Sequence, residues 1–169
     1  MTTIKFFVPG VPKPAGSKRP FLIRNGAGQA VMKNGRPVIV VTDTSGKAGK
    51  DWRADVRAVA AENWGPREPF AGKMYVTMDF YFARPKSHYG TGKNAAVLKP
   101  SAPPRDEHLQ DPDALKLARA VEDALTKVIW KDDNQLAPAS DKHWVTFSED
   151  RPGMMIAVGW EDNAEGKPC

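Results

Sequence analysis

A chain of 169 residues, 41% hydrophobic and 27% charged, has the size and balance of one soluble globular domain and excludes a disordered or fibrous protein. No apolar run reaches the roughly 18–20 residues that span a bilayer, and the opening MTTIKFFVPGVPKPAG lacks a signal-peptide core, so cytoplasmic residence without a membrane partner is expected. The net charge of +5 is uneven: residues 1–60 hold eleven Lys or Arg against three Asp, and the remainder fourteen against seventeen Asp or Glu, which suits polyanion binding beside an acidic pocket.

In chain order, IKFFVPG (4–10) is β-branched and aromatic and stops at Pro-Gly, which predicts a strand. Residues 11–37 are rich in Gly, Pro, Lys and Arg, with Asn-Gly pairs at 25–26 and 34–35, and predict a basic hairpin or long loop. VIVVT (38–42) reads as a short buried strand. A helix is expected from about Gly49 to Asn63, with Trp52, Val56, Val59 and Ala60 on one face and Arg53 and Arg57 sharing another. KMYVTMDFYFAR (73–84) alternates as a strand, and 85–110 is a long loop of the kind that is usually functional. A second helix follows, then two closing strands around a turn at Asp150-Arg151-Pro152-Gly153. The order β-β-α-β-α-β-β predicts a single α+β domain over residues 1–169, with a mixed sheet and two main helices. The five tryptophans sit beside periodic apolar positions and read as core or dimer-interface residues.

Several chemistries find little support. The one cysteine, Cys169, excludes an internal disulfide and has no zinc-type neighbours. GTGKN (90–94) lacks the earlier glycine, the following Ser/Thr and the preceding strand of a phosphate-binding loop, so no nucleotide cofactor is expected. His88, His108 and His143 are scattered, and no Ser-His-Asp or Cys-His arrangement is visible. The basic loop is more informative. GSKRPF places Ser17, Lys18 and Arg19 after a glycine turn, a pattern suited to phosphate contact, with Arg24, Lys33 and Arg36 extending the patch. Lys86 and Lys93 on the long loop are further candidates for DNA contact, and Phe21 for stacking at a branch point or for the core.

The acidic residues bracket the second helix. In DPDALKLARAVEDALTKVIWKDDNQL (111–136), Leu117, Val121, Ala124, Leu125 and Val128 form a core stripe, while Lys116, Arg119 and Lys127 lie off it. The plain reading makes Asp111 an N-cap with Pro112 at the first helical position, Asp113 a partner of the positive helix end, and Asp132-Asp133 a polar turn. The functional reading joins both pairs. Phosphodiester hydrolysis at neutral pH needs an activated water and charge neutralisation, and a Mg²⁺ ion on carboxylate oxygens supplies both.

These residues carry a resemblance. Pro112-Asp113-Ala114-Leu115-Lys116-Leu117-Ala118-Arg119-Ala120, then Asp123-Ala124-Leu125-Thr126, then Trp130-Lys131-Asp132-Asp133-Asn134-Gln135 is similar to the signature of RusA-type crossover-junction endodeoxyribonucleases. These are small Holliday junction resolvases common in phages and prophages. Their pattern runs Pro-Asp-x-Asp-x-Leu-x-Lys/Arg-Ala, then Asp-Ala-Leu-Thr, then an aromatic residue before Asp-Asp-x-Gln. VPGVPKPAGSKRPF and RPKSHYGTGKNAAVLKPSAP also resemble phage members, so the likeness covers most of the chain. It implies a homodimeric nuclease in the bacterial host cytoplasm, acting on four-way junctions and other branched DNA, with Mg²⁺ as cofactor and Mn²⁺ as a substitute. It carries Asp113, Asp133 and Arg119 over as catalytic positions, with Lys116 assisting Arg119. Asp113 and Asp133 would hold the metal, with Asp111 or Asp132 completing the shell. Leu115 departs from the pattern, standing where the family has its second aspartate. Three explanations stand: Asp111 substitutes, the subgroup works with fewer ligands, or activity is weakened.

Overall fold

Met74, Val76, Met78 and Phe80 alternate along one strand and are all buried, which fixes the inner face of the main sheet. The structure, a computed structural model, describes residues 1–105, 112–137, 142–148 and 151–161. Its elements are β1 (Thr2–Pro9), β2 (Lys18–Leu22), β3 (Met32–Lys33), β4 (Arg36–Pro37), β5 (Ile39–Asp43), α1 (Gly46–Trp64), β6 (Met74–Ala83), α2 (Ala114–Leu125), β7 (Lys142–Ser148) and β8 (Gly153–Trp160). The architecture is α+β, as the sequence pattern predicts. The main sheet has the order β1-β8-β6-β7, with β1·β8 and β8·β6 antiparallel and β6·β7 parallel. A parallel neighbour needs a crossover, and α2 lies within that connection.

Trp52, Val56, Ala60 and Trp64 recur every fourth residue on α1, and Leu117, Val121, Ala124 and Leu125 line α2. Both stripes pack with Phe6, Val8, Ile156 and Val158 in one core, where the Trp64 and Trp160 rings meet edge-on at 5.1 Å. Gly65 ends α1 at φ 71°, its N–H returning to the Ala61 carbonyl. Among the described residues no helix is long and apolar enough to cross a membrane.

Two sequence expectations need correction, the burial of 38–42 and the N-cap of the second helix, while the expected basic hairpin is present. The 38–42 stretch is a strand but not a buried one: Ile39 and Val41 are each 57% exposed. Its partner is β2, in a two-stranded ribbon, and among the described residues no second layer covers it. The basic 11–37 segment is partly ordered as β2, β3 and β4, with Asn34-Gly35 at positive φ making the tight turn between β3 and β4. The N-cap of α2 is Asp113 rather than Asp111: its carboxylate accepts the Leu115 N–H at 2.9 Å. Asp111 lies outside the described residues, as do His108, Asp150 and Cys169.

The sheet face away from the helices carries Asp79, half-buried on β6. Burial pushes its carboxyl above the usual value, and the positive charge of Lys5 only partly offsets this. A folded-state pKa raised above the unfolded one means that acid favours the fold, and the cost is present above the raised pKa. Asp79→Asn is therefore expected to raise the melting temperature near neutral pH, with the gain shrinking as pH falls toward roughly 4. Melting curves across that range check it; a gain that grows in acid would overturn the assignment.

Candidate active site and nucleic-acid interface

The first turn of α2 presents its charged side chains outward because its apolar ones are spent on the core. Leu117 and Ala118 are buried; Asp113, Lys116 and Arg119 are exposed. Leu115, also exposed (71%), holds an apolar side chain in water with no packing reason for it. Asp113 sits at the positive end of the helix, and its N-cap bond is with the Leu115 backbone.

The basic N-terminal segment is tied to this turn. Ala15 N–H donates to the Lys116 carbonyl at 2.8 Å, and the Ser17 carbonyl accepts the Thr44 N–H at 3.1 Å and its hydroxyl at 3.0 Å. These bonds set the root of the ribbon beside α2. The result is a cleft of about 320 Å³ lined by Ala15, Gly16, Lys18, Arg53, Arg119 and Asp123. Two predicted residues, Lys18 and Arg119, thus share one cleft, and the fold adds Arg53 and Asp123. Arg19 follows Lys18 on β2, and Lys33 faces Arg36 across the β3–β4 turn. Arg24 donates to the Gly28 carbonyl at 2.8 Å, which shapes the ribbon's outer loop. Phe21 on β2 is 49% exposed and so is not a core residue. Lys86 and Lys93 are exposed on two 3-10 turns of the long loop, separate from the ribbon.

The second acidic pair follows α2. Trp130 is fully buried, and its indole N–H donates to the Thr126 hydroxyl at 3.1 Å, folding the chain back on the C-terminal end of the helix. Gln135 then locks the turn. Its carbonyl accepts the Lys131 and Asp132 N–H groups at 2.8 and 2.9 Å, and its amide donates to the Phe70 and Gly72 carbonyls at 2.8 and 2.7 Å. Asp132 caps the 3-10 turn by accepting the Asn134 N–H at 3.0 Å. Asp133 is exposed, and its carboxylate bonds no described residue. The Asp-x-x-Gln spacing that marks a capping box is the signal for Gln135, a residue to which the motif alone assigns no role.

In sequence the two pairs flank α2, Asp113 at its N-cap and Asp132–Asp133 in the turn beyond its C-terminal end. Among the described residues no three acidic, His or Cys side chains converge to hold a metal ion. Asp113 and Asp132 each spend an oxygen on a cap, and Leu115 offers none. A site of three or more such side chains is therefore absent among the described residues, and the expected fourth residue, Asp111, lies outside them.

A family model described as Endodeoxyribonuclease RusA matches residues 12–159, a span that takes in the ribbon, both helices, the Asp132–Gln135 turn and most of the main sheet. No curated protein matches the chain.

Proposed function

Because the chain belongs to the RusA endodeoxyribonuclease family, we propose that it resolves four-way DNA junctions by paired phosphodiester hydrolysis, acting as a homodimer on a twofold-symmetric substrate. The observation that carries this reading is the cleft where Lys18, at the root of a basic ribbon, meets Arg119 of α2. A phosphate entering it is met by two cations from separate elements, and Arg119 is in a position to stabilise charge developing on the phosphate oxygens. Lys116 adds positive charge one turn earlier. Asp113 and Asp133 are the proposed acidic residues of the reaction. Magnesium, with manganese as a substitute, is proposed as cofactor on the hard-oxygen character of these carboxylates alone. Among the described residues no three acidic, His or Cys side chains converge, so the roles proposed for Asp113 and Asp133 rest on the family motif rather than on a formed cluster. The exposed cations of the ribbon, Arg19, Lys33 and Arg36, would grip the junction arms, so binding weakens steeply with salt.

A second reading is favoured by Leu115: a protein that binds branched DNA and cuts it weakly or not at all. The deciding experiment is cleavage of a labelled four-way junction, with and without Mg²⁺, beside a matched linear duplex. Paired symmetric nicks confined to the junction and dependent on metal are expected. Tight junction binding without cleavage would select the second reading, and equal cutting of flaps and forks would make it a broader branched-DNA nuclease.

A further inference from the structure

Lys50, Arg53 and Arg57 recur at i, i+3 and i+7 on α1, and Ala54, Ala58 and Ala61 lie between and beyond them on the same face. Together these residues line a groove of about 570 Å³ whose other wall is Asp123 and Ala124 of α2. Arg53 and Asp123 also line the Lys18–Arg119 cleft, so the two spaces adjoin along a shared wall. Five cations border them against one carboxylate.

The acidic residues of α1 are kept off this face. Asp51, Asp55 and Glu62 share the neighbouring one, and Asp51 is paired there with Lys47 at 2.9 Å. Lys18, Lys50 and Arg119 form no ion pair with any described residue. Arg57 Nε donates to the Ala124 carbonyl at 3.2 Å, which fixes the guanidinium across the helix–helix seam. An ordinary solvated helix face mixes its signs. This one sorts them, with small apolar side chains between the cations.

The span from Lys50 to Ala61 is about 16 Å along the helix, room for roughly four or five nucleotides at the per-strand spacing of duplex DNA. We infer that the α1–α2 groove holds the sugar–phosphate backbone of one DNA strand and leads it to the cleft at Arg119. Lys50, Arg53 and Arg57 contact phosphates, and the alanines let deoxyribose approach closely. A seam between packed helices admits one backbone rather than a whole duplex, and a branch point is where single strands diverge. The inference rests on the branched-DNA reading above and adds a strand path to it.

The test is anisotropy of a labelled four-way junction over a salt series, with the parent chain, Lys50→Ala, Ala58→Trp and the ribbon variant Lys33→Ala/Arg36→Ala. Lys50 and Ala58 are exposed, so both substitutions leave the core intact. Lys50→Ala is expected to lower the slope of log K against log salt by about 0.7–0.9. Ala58→Trp, which fills the groove, is expected to weaken binding about tenfold with an unchanged melting temperature. Should Ala58→Trp unfold, the Lys50→Ala slope alone decides. Parent-like binding by both groove variants, with loss in the ribbon variant, would overturn the groove and leave the branched-DNA reading standing. A parent chain that does not prefer the junction to linear duplex would overturn both.

Discussion

Asp133→Asn is expected to reduce junction nicking by about 100-fold or more while leaving junction affinity within a few-fold of the parent. The two effects separate because binding is assigned to the ribbon and the α2 cleft, and Asp133 belongs to neither. The side chain bonds no described residue and is exposed, so the isosteric change leaves folding stability within about 0.5 kcal/mol. Nicking and anisotropy on the same preparation check both halves. Undiminished nicking in Mg²⁺ would remove Asp133 from the reaction, and lost binding would mean that the turn itself touches DNA. Asp113→Asn is the companion. Asparagine caps a helix as well as aspartate does, so the Leu115 N–H keeps its partner. Any loss of nicking in that variant is then chemical rather than structural.

Gln135→Ala is expected to cost about 2–4 kcal/mol, the net worth of four hydrogen bonds near 1 kcal/mol each with some recovery by water. For a domain of this size that lowers the melting temperature by roughly 5–15 °C. The side chain is half-buried, and the groups it serves come from two distant segments, the Lys131–Asp132 backbone and the Phe70 and Gly72 carbonyls. Gln135→Glu keeps the accepting oxygen but turns a second one, negatively charged, toward those two carbonyls. It should be no more stable than the alanine variant near neutral pH. Thermal melts settle this, and nicking measured well below both transitions shows whether a loosened turn also misplaces Asp133. A melting temperature within about 2 °C of the parent for both variants would mean that the turn holds without its glutamine.

Local periodicity makes much of the fold legible. The alternation at Met74–Phe80 and the fourfold spacing of Trp52, Val56 and Ala60 locate β6 and α1 within a few residues, because each pattern has one burial solution. Ile39 and Val41 read as buried in sequence and are not, because an apolar run states what a strand would cover, not what is available to cover it. Asp111 and Asp113 are equally good capping residues by type. Backbone geometry, which spacing does not carry, decides between them. The motif around Asp113, Arg119 and Asp133 points to the nuclease family, and its order already places a helix between the acidic pairs, but not the Gln135 bonds to Phe70 and Gly72 that lock the second pair's turn. Arg53 and Arg57 are visible as a face of α1. That the face borders α2, and that Lys18 closes its far end, is tertiary information.

The main sheet also sets the timing of folding. Among the described strands β1 comes first in sequence and β8 last, yet β8 must slot between β1 and β6. Until residues 153–160 have been synthesised, β1 has no neighbour, β6 lacks one edge, and the core face of the sheet has a gap where Met154, Ile156 and Val158 belong. A chain that stops short of β8 therefore cannot close its core, and the two helices that position Arg119 have no complete floor to stand on. Long-range pairing of this kind slows folding. For an enzyme that cuts DNA, the arrangement withholds a complete cleft until residues 153–160 have been made, so a product interrupted before them lacks the floor on which the cleft is built.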